Sequence, residues 1–399
     1  MPAEIDCVVA GAGLAGSVAA LCLAASGLEV MVVEQRAPLP SPRLDQRALV
    51  LSPASVRILA DAGLWPRLAP RSTALTAIRI SERGAFGTVQ LEAAEVGLST
   101  LGWACPADHL LSELNAALLE HERVRVQWST RFTSCEPQPG AIRIRLQGPH
   151  GEHEESARLL VGADGAHSTV REAAGVGIEC FDYGQQAIVA MASAARPRPG
   201  TAFELFSGEG PLALIPQGAD RYVTVQCLST ARAQTAMELD DAAYLEMLER
   251  RSGGRLGVLS ELGPRRKYDL ARQRAERLVG ARSVLVGNAA NTVHPNAAQG
   301  LNLGLRDAAA LARVVGGSAD PGARAGLRRY AALRRRDHRS ISIFTHVLAR
   351  TFTSSLLPVA CARRGLLAAC AHSLPLRRRL VAELSGIAAL TELTRHQPS

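Results

Sequence analysis

The sequence predicts an α/β fold in which a parallel, helix-covered sheet is interleaved with a mostly antiparallel one and followed by a helical tail. Three observations carry that prediction. The chain opens with an apolar run, a glycine-rich turn, a helical pattern and a second apolar run, all between Ile5 and Glu34. Two later apolar runs, ending at Val161 and Val286, each meet a glycine and then helical spacing. Between them, residues 185–228 alternate in short runs broken by turn residues, as hairpin strands do.

The opening is a Rossmann-like βαβ unit. A strand from Ile5 to Ala10 leads into Gly11-Ala12-Gly13-Leu14-Ala15-Gly16, then into Leu14, Val18, Leu21, Cys22 and Ala25 at helical spacing, and a second strand from Val30 ends at Glu34. These offsets match a dinucleotide fingerprint. Gly11 makes the tight turn, Gly13 lets backbone approach a pyrophosphate, Gly16 permits close helix packing, and Glu34 can accept ribose hydroxyls. A chance glycine-rich turn would not explain the order of strand, helix, strand and acid. Pro38 to Pro42 reads as a loop, and Asp45-Gln46-Arg47 precedes a helix from Ser55 to Ala60. Arg47 suits either a phosphate or a solvated surface. Residues 77–90 and 124–144 alternate as strands, with a helix from His109 to Leu119 between them.

The middle of the chain places Asp164-Gly165 at the end of the run Leu159-Leu160-Val161. Asp164 could bind a ribose, or it could fix a turn capped by Ser168. Strands are expected at 185–193, 201–206, 211–216 and 222–228, and a helix at 240–250. Phe203, Leu205, Leu212 and Leu214 could line a substrate cavity or form plain sheet core. The stretch from Val284 to Asp307 then combines a strand, Gly287, a loop at His294-Pro295 and a helix opening at Gln299-Gly300-Leu301-Asn302. Backbone N–H groups at such an opening suit an anionic ligand edge.

Composition narrows the classes. At 399 residues, 47% apolar and 21% charged, the chain can bury a large core, most naturally in two lobes. The net charge of +8 comes almost wholly from scattered arginines, Lys267 being the single lysine, and no recognition motif accompanies it, so nucleic acid is not an expected partner. The eight cysteines have neither pairing nor metal-ligand spacing, which predicts reduced thiols, no metal site and a cytoplasmic setting. No signal peptide is read at the N-terminus, and Asp6, Glu29 and the glycines interrupt residues 5–33, so no spanning helix is expected.

With Gly11 to Gly16, Asp164-Gly165 and the block from Gly287 to Asp307 in this order, nearly the whole chain resembles the FAD-dependent aromatic hydroxylases of the p-hydroxybenzoate hydroxylase type. Asn288 stands where that family usually has an acid. The Asn form, with His294-Pro295, Asn302-Leu303-Gly304-Leu305-Arg306-Asp307, Arg47-Ala48 and residues 80–84 (ISERG) and 210–213 (GPLA), is most similar to the branch that hydroxylates 2-polyprenyl-6-methoxyphenol in ubiquinone biosynthesis. The resemblance implies that Gly11, Gly13 and Gly16 cradle the FAD pyrophosphate, Glu34 holds the adenosine ribose, and Arg47 approaches the phosphate or ribityl side. Asp164 and Asn288 would grip from the other end. Pro295 would lie over the isoalloxazine ring, with the N–H groups of Gly300, Leu301 and Asn302 at its pyrimidine edge. Residues 105–109 (CPADH), where the family often has an Arg or Gln, carry no assignment.

The reaction implied by the resemblance reduces FAD with NADH or NADPH, captures O2 as a flavin C4a-hydroperoxide and transfers one oxygen to a polyprenylated phenol. No second glycine-rich nucleotide fold is read, so the nicotinamide would bind transiently beside FAD. His294 and Tyr222 are candidates for a phenol-deprotonating base, with packing the competing role for each. The implied organisation is FAD-binding at 1–75, 105–175 and 276–330, substrate-binding at 76–104 and 176–275, and a helical C-terminal region at 331–399. In that region arginines (Arg334–Arg336, Arg363, Arg364, Arg377–Arg379) alternate with Phe344, Leu356, Leu357 and Leu366. This suits either helices packed on the FAD domain or peripheral contact with the inner face of a membrane. Rival readings are a hydroxylase of a small soluble aromatic and a structural flavoprotein associated with other ubiquinone-biosynthesis enzymes.

Overall fold

The first sheet of the computed structural model is the parallel one, and its order explains its composition. Cys7–Ala10 lies between Leu159–Gly162 and Val30–Glu34, with Ser283–Leu285 and Val124–Trp128 outside them and Val279–Gly280 pairing antiparallel at one edge. Both faces are covered, so Cys-Val-Val-Ala and Leu-Leu-Val-Gly are wholly buried instead of alternating with polar residues. Cys7 and Val9 face the helices Leu14–Ala25 and Gln299–Val315. Val8 and Ala10 face a three-stranded sheet, Arg131–Pro137, Ile142–Gly148 and Gly151–Ala157. The structure describes residues 5–37, 47–84, 88–353 and 356–386. The loop expected at Pro38 to Pro42, the Asp45-Gln46 pair and the end of the tail at 387–399 lie outside the described residues.

The second sheet runs Asn291–Thr292, Arg266–Ala275, Ile178–Ala194, Arg221–Ser229, Leu212–Gln217, Thr201–Phe206, Ala77–Glu82 and Thr88–Glu92. Only the contact of Thr201–Phe206 with Ala77–Glu82 is parallel, a junction of strands distant in sequence. The helices Thr230–Glu238 and Asp241–Ser252 cover one face through Ala233, Ala236, Tyr244 and Leu248. A small fourth sheet, Ala48–Leu51, Gly102–Pro106 and Thr73–Leu75, joins the two lobes.

Several elements exceed the sequence reading. Arg266–Ala275 and Gly151–Ala157 were not expected, because RKYDLARQRA and GEHEESA hold too few apolar residues to show a period. Their pairing is set by the strands beside them. Of the two readings of Phe203, Leu205, Leu212 and Leu214, sheet core describes all four, and Phe203 alone also borders the cavity described below. Leu205, Leu212 and Leu214 lie with Tyr222 and Tyr244 in the core beneath the helices, while Ala202, Glu204, Phe206 and Ala213 face the other way, into the cavity described below. Alternation reveals which residues share a face but not which face meets a helix.

Three helices close the chain, Arg324–Thr353, Leu357–His372 and Leu374–Ser385. Among the described residues no helix is long and apolar enough to cross a membrane. Their arginines are not uniformly solvated. Arg334 and Arg363 are buried, and Arg377 reaches Glu95 at 2.9 Å.

Candidate functional site

A cavity of about 2130 Å³ runs between the two sheets and beneath the C-terminal helices. That is larger than the roughly 300–1,000 Å³ of an ordinary small-molecule pocket, and suits a dinucleotide together with a second ligand. Its polar end is the glycine-rich turn. Gly11 sits at φ +104°, and its N–H donates to the Val33 carbonyl at 2.8 Å, locking the turn onto the second strand. A Cβ at Gly16 would fall 2.0 Å from the Gly11 carbonyl oxygen, so close helix packing requires glycine there. Gly13 differs: a Cβ there meets nothing within 4 Å, and it caps Leu14–Ala25 without a side-chain hydrogen bond. Backbone N–H groups at the start of that helix therefore face open cavity, an arrangement suited to an anionic pyrophosphate.

The contrast between the two glycines gives a first expected result. Gly13→Val should leave the protein folded, with its melting temperature changed little when measured without FAD, while FAD retention on gel filtration falls at least about tenfold. A folded variant that keeps stoichiometric flavin would show that the turn is not the pyrophosphate site.

Glu34 lines the cavity, with one oxygen accepting the Ala12 N–H at 2.8 Å and the other the Arg36 N–H at 3.0 Å. These bonds fix its carboxylate beside the turn. Arg47 is exposed at the cavity, its guanidinium 5.3 Å from the centre of the Tyr268 ring. Asn288 is exposed on the short turn Gly287–Ala289 and lines the same wall. Asp164 is placed otherwise. Its oxygens bond the Ser168 hydroxyl at 2.5 Å and the Val170 N–H at 3.0 Å, and Ser168 caps Thr169–Ala173. The turn-forming alternative thus describes its side chain, and its neighbours Ala163 and Gly165 line the cavity instead.

The loop from Pro295 to Gly300 forms the middle of the cavity wall. Ala297 and Ala298 have φ of +65° and +49°, left-handed values that cost non-glycine residues about 1–3 kcal/mol each. Side-chain braces hold them there. Asn302 donates to the Ala298 and Val50 carbonyls at 2.7 and 2.8 Å and accepts from the Ser52 N–H and the Ser55 hydroxyl. Gln299 donates to the Ala297 and Leu384 carbonyls. The next helix opens without a side-chain cap at Gln299, so Gly300, Leu301 and Asn302 lie at the cavity in its first turn. The Asn302 side chain itself is structural.

Neither candidate base reaches the cavity. His294 is 1% exposed behind the wall, its Nδ1 accepting the Asn296 N–H and its ring 4.9 Å from Tyr183, and burial lowers its pKa to about 4. It is held neutral as a packing group. Tyr222 is buried in the sheet core, where its hydroxyl bonds the backbone of Arg198. Pro295, next to His294 in sequence, does line the cavity.

Two features carried no sequence assignment. Asp307, fully buried, accepts the Gly287 N–H at 3.1 Å on one oxygen, while Arg334 Nε and His338 Nε2 lie 2.7 Å from the other. Burial alone would raise its pKa, but the charges of His338 and Arg334 outweigh that and hold the carboxyl below its ordinary range. The second is Glu204, on the cavity face of the antiparallel sheet, where burial pushes its carboxyl up to about 7. An acid inside the run TAFELF was the available signal. Among the described residues no cluster of metal-ligating side chains is found.

Comparison with known proteins agrees with this geometry. The sequence profile of the family described as FAD binding domain matches residues 4–342. The chain is 34% identical over 391 residues to ubiquinone hydroxylase UbiL of Rhodospirillum rubrum, covering 96% of this chain and 89% of that one. It is 31% identical to 3-demethoxyubiquinol 3-hydroxylase of Escherichia coli, covering 79% and 80%. Its fold matches p-nitrophenol 4-monooxygenase PnpA of Pseudomonas putida with a TM-score of 0.78 at 18% identity, over 96% and 98% of the two chains.

Proposed function

We propose, from the premise that the chain belongs to the FAD binding domain family and is an FAD-dependent monooxygenase, that it hydroxylates a polyprenylated phenol of ubiquinone biosynthesis. The observation that carries the reading is the continuity of the cavity. It begins at the glycine-rich turn, passes the Pro295 loop, and ends against apolar sheet residues and the C-terminal helices, where Phe352, Leu367 and Leu384 form the wall. Ile343, Val347 and Leu366 both line it and are 47%, 53% and 63% exposed, so the apolar end opens to the surface between these helices. A ring can lie inside while a prenyl chain leads out.

FAD, when bound, supplies hydride acceptance from NADH or NADPH and the activation of O2. The protein's part is placement. Gly11, Gly13 and Gly16 would hold the pyrophosphate, Glu34 the ribose, and Arg47 and Asn288 the intervening chain. The first-turn N–H groups at Gly300, Leu301 and Asn302 would stabilise negative charge on a reduced flavin ring. The braced Ala297-Ala298 turn would keep them aimed before the ligand arrives. The apolar sheet face excludes water around the ring being hydroxylated.

The exposed Leu356, Leu357 and Leu366, with Arg335, Arg336, Arg339 and Arg364 also exposed, support peripheral contact with an anionic membrane face, from which such a substrate would enter. The deciding experiment is aerobic turnover with a short-chain 2-prenyl-6-methoxyphenol and NAD(P)H, with mass spectrometry of the product. A product heavier by one oxygen is expected. Faster coupled turnover of a soluble hydroxybenzoate would favour the small-aromatic reading, and flavin binding without substrate-stimulated NAD(P)H oxidation would favour a structural role beside other pathway enzymes.

A further inference from the structure

The cavity face of the antiparallel sheet is apolar apart from Cys227 and Tyr268 and one row that carries two charged residues. Strand pairing aligns Ile80, Glu204, Ala213, Val225, Val189 and Arg266 across it. Glu204 is two residues from Phe206, which stacks on Phe352 of the C-terminal wall at 3.5 Å between ring centres. Its carboxylate therefore lies within the substrate part of the cavity, flanked by hydrocarbon. Among the described residues it has no hydrogen bond or ion pair.

The charged neighbours do not serve it. Glu82, on the adjoining strand, is itself bonded to Arg363 and lies 3.6 Å from Arg364, on the helix above. The strand Leu212–Gln217 offers no titratable group. Cys227, on the strand beyond, is a buried thiol whose own pKa is driven up. Arg266 stands at the far end of the row, four strand spacings or roughly 19 Å away. Placing an unpaired acid among apolar groups costs stability, and acids so placed are concentrated at functional sites.

We propose that Glu204 accepts the hydrogen bond of the substrate's ring hydroxyl and takes its proton as the ring is attacked. The proposal rests on the reading above, that the substrate is a phenol. In this step the phenol O–H bond breaks, an O–H bond forms on the Glu204 carboxylate, and the electron pair stays on the phenolate oxygen. Electron density on the ring rises, which favours attack by an electrophilic oxygen. Burial that lifts the carboxyl to about 7 brings its basicity closer to that of a phenol, ordinarily near ~10. The acid also confers specificity, since a methyl ether cannot donate to it.

The test uses FAD-loaded full-length protein, a 2-geranylphenol and its methyl ether. Binding is read from the change in flavin absorbance without NAD(P)H. Wild-type protein should prefer the phenol by about 10–100-fold, and Glu204→Ala should lose that preference while keeping its FAD content and melting temperature. In turnover, wild-type kcat/KM should rise with pH through about 7 as the carboxyl ionises. Glu204→Gln, whose amide oxygen still accepts, should bind the phenol within about threefold of wild type but show no inflection there. A Glu204→Ala protein that still prefers the phenol, or a Glu204→Gln protein that keeps the inflection, overturns the proposal alone. Wild-type protein that binds neither compound overturns the functional reading and this proposal with it.

Discussion

Asp307→Ala is expected to destabilise the FAD-binding lobe by about 3–5 kcal/mol, because it strips the carboxylate from a buried cation and from a backbone donor at once. Arg334 Nε and His338 Nε2 both lie 2.7 Å from the lost oxygen, and the Gly287 N–H loses its acceptor. Arg334 would keep Asp337, also at 2.7 Å, which limits the loss. Gly287 adjoins Asn288 at the cavity wall, so thermal unfolding and FAD content should fall together. Asp307→Asn retains the shape and one accepting oxygen and should fall between wild type and Asp307→Ala. The sign with pH follows from a carboxyl whose folded pKa is depressed. The contribution is present above its ordinary range and is lost as pH falls below about 4, so wild type and Asp307→Ala should converge in stability on acidification. Equal FAD content and equal melting in the two proteins at pH 7 would refute this account of the hub.

The second large effect is expected at Glu82. Its carboxylate is buried, bonds Arg363 through both oxygens, and ties the helix Leu357–His372 to the antiparallel sheet one strand from its edge. Hydrogen bonding to Arg363 lowers its pKa against the opposing effect of burial. Glu82→Ala leaves the buried Arg363 without that carboxylate, at a cost of about 3–5 kcal/mol concentrated where the helix meets the sheet. Arg363 still donates to the Thr351 carbonyl, and Arg377 still holds Glu95, so loosening of the helices rather than their detachment or global unfolding is expected. Hydrogen exchange should accelerate over residues 356–386, KM for the prenylated phenol of the proposed function should rise by at least about tenfold, and FAD content should stay near wild type. Unchanged exchange in those helices would show that the pair does not hold them.

Local signals in the chain disclosed the parallel sheet and the glycine-rich turn because each rests on contiguous residues: an apolar run, glycines at fixed offsets, an acid at the next strand end. Glu34 could be placed at the cavity for the same reason, whereas Asn288 and Pro295 were placed there by the resemblance to the aromatic hydroxylases. What stayed hidden depends on contacts between distant residues. Nothing near Asp307 announces that Arg334 and His338 return to it one helix later. His294 stands next to Pro295 in sequence, yet the turn sends one side chain to the core and the other to the cavity. Asp164 could be read as ribose ligand or turn former, and only the positions of Ser168 and Val170 decide that its side chain forms the turn. Glu204 was visible as an acid in a strand, but the one-residue register that turns it inward is fixed by pairing with Ile80 and Ala213.

The C-terminal helices also have a consequence in time. Every group assigned to the cofactor lies before residue 307, and the hub that fixes Gly287 is complete once His338 has been added. The apolar wall arrives later, from Ile343 onward, and is completed by residues 357–385. At about 5–20 residues per second, translation from His338 to Ser385 takes roughly 2 to 10 seconds. The residues that build the glycine-rich turn and its hub therefore leave the ribosome ahead of those that cover the greasy sheet. A ribosome making this protein thus presents the glycine-rich turn before the apolar wall, and FAD captured at that stage would steady the lobe onto which the last helices fold.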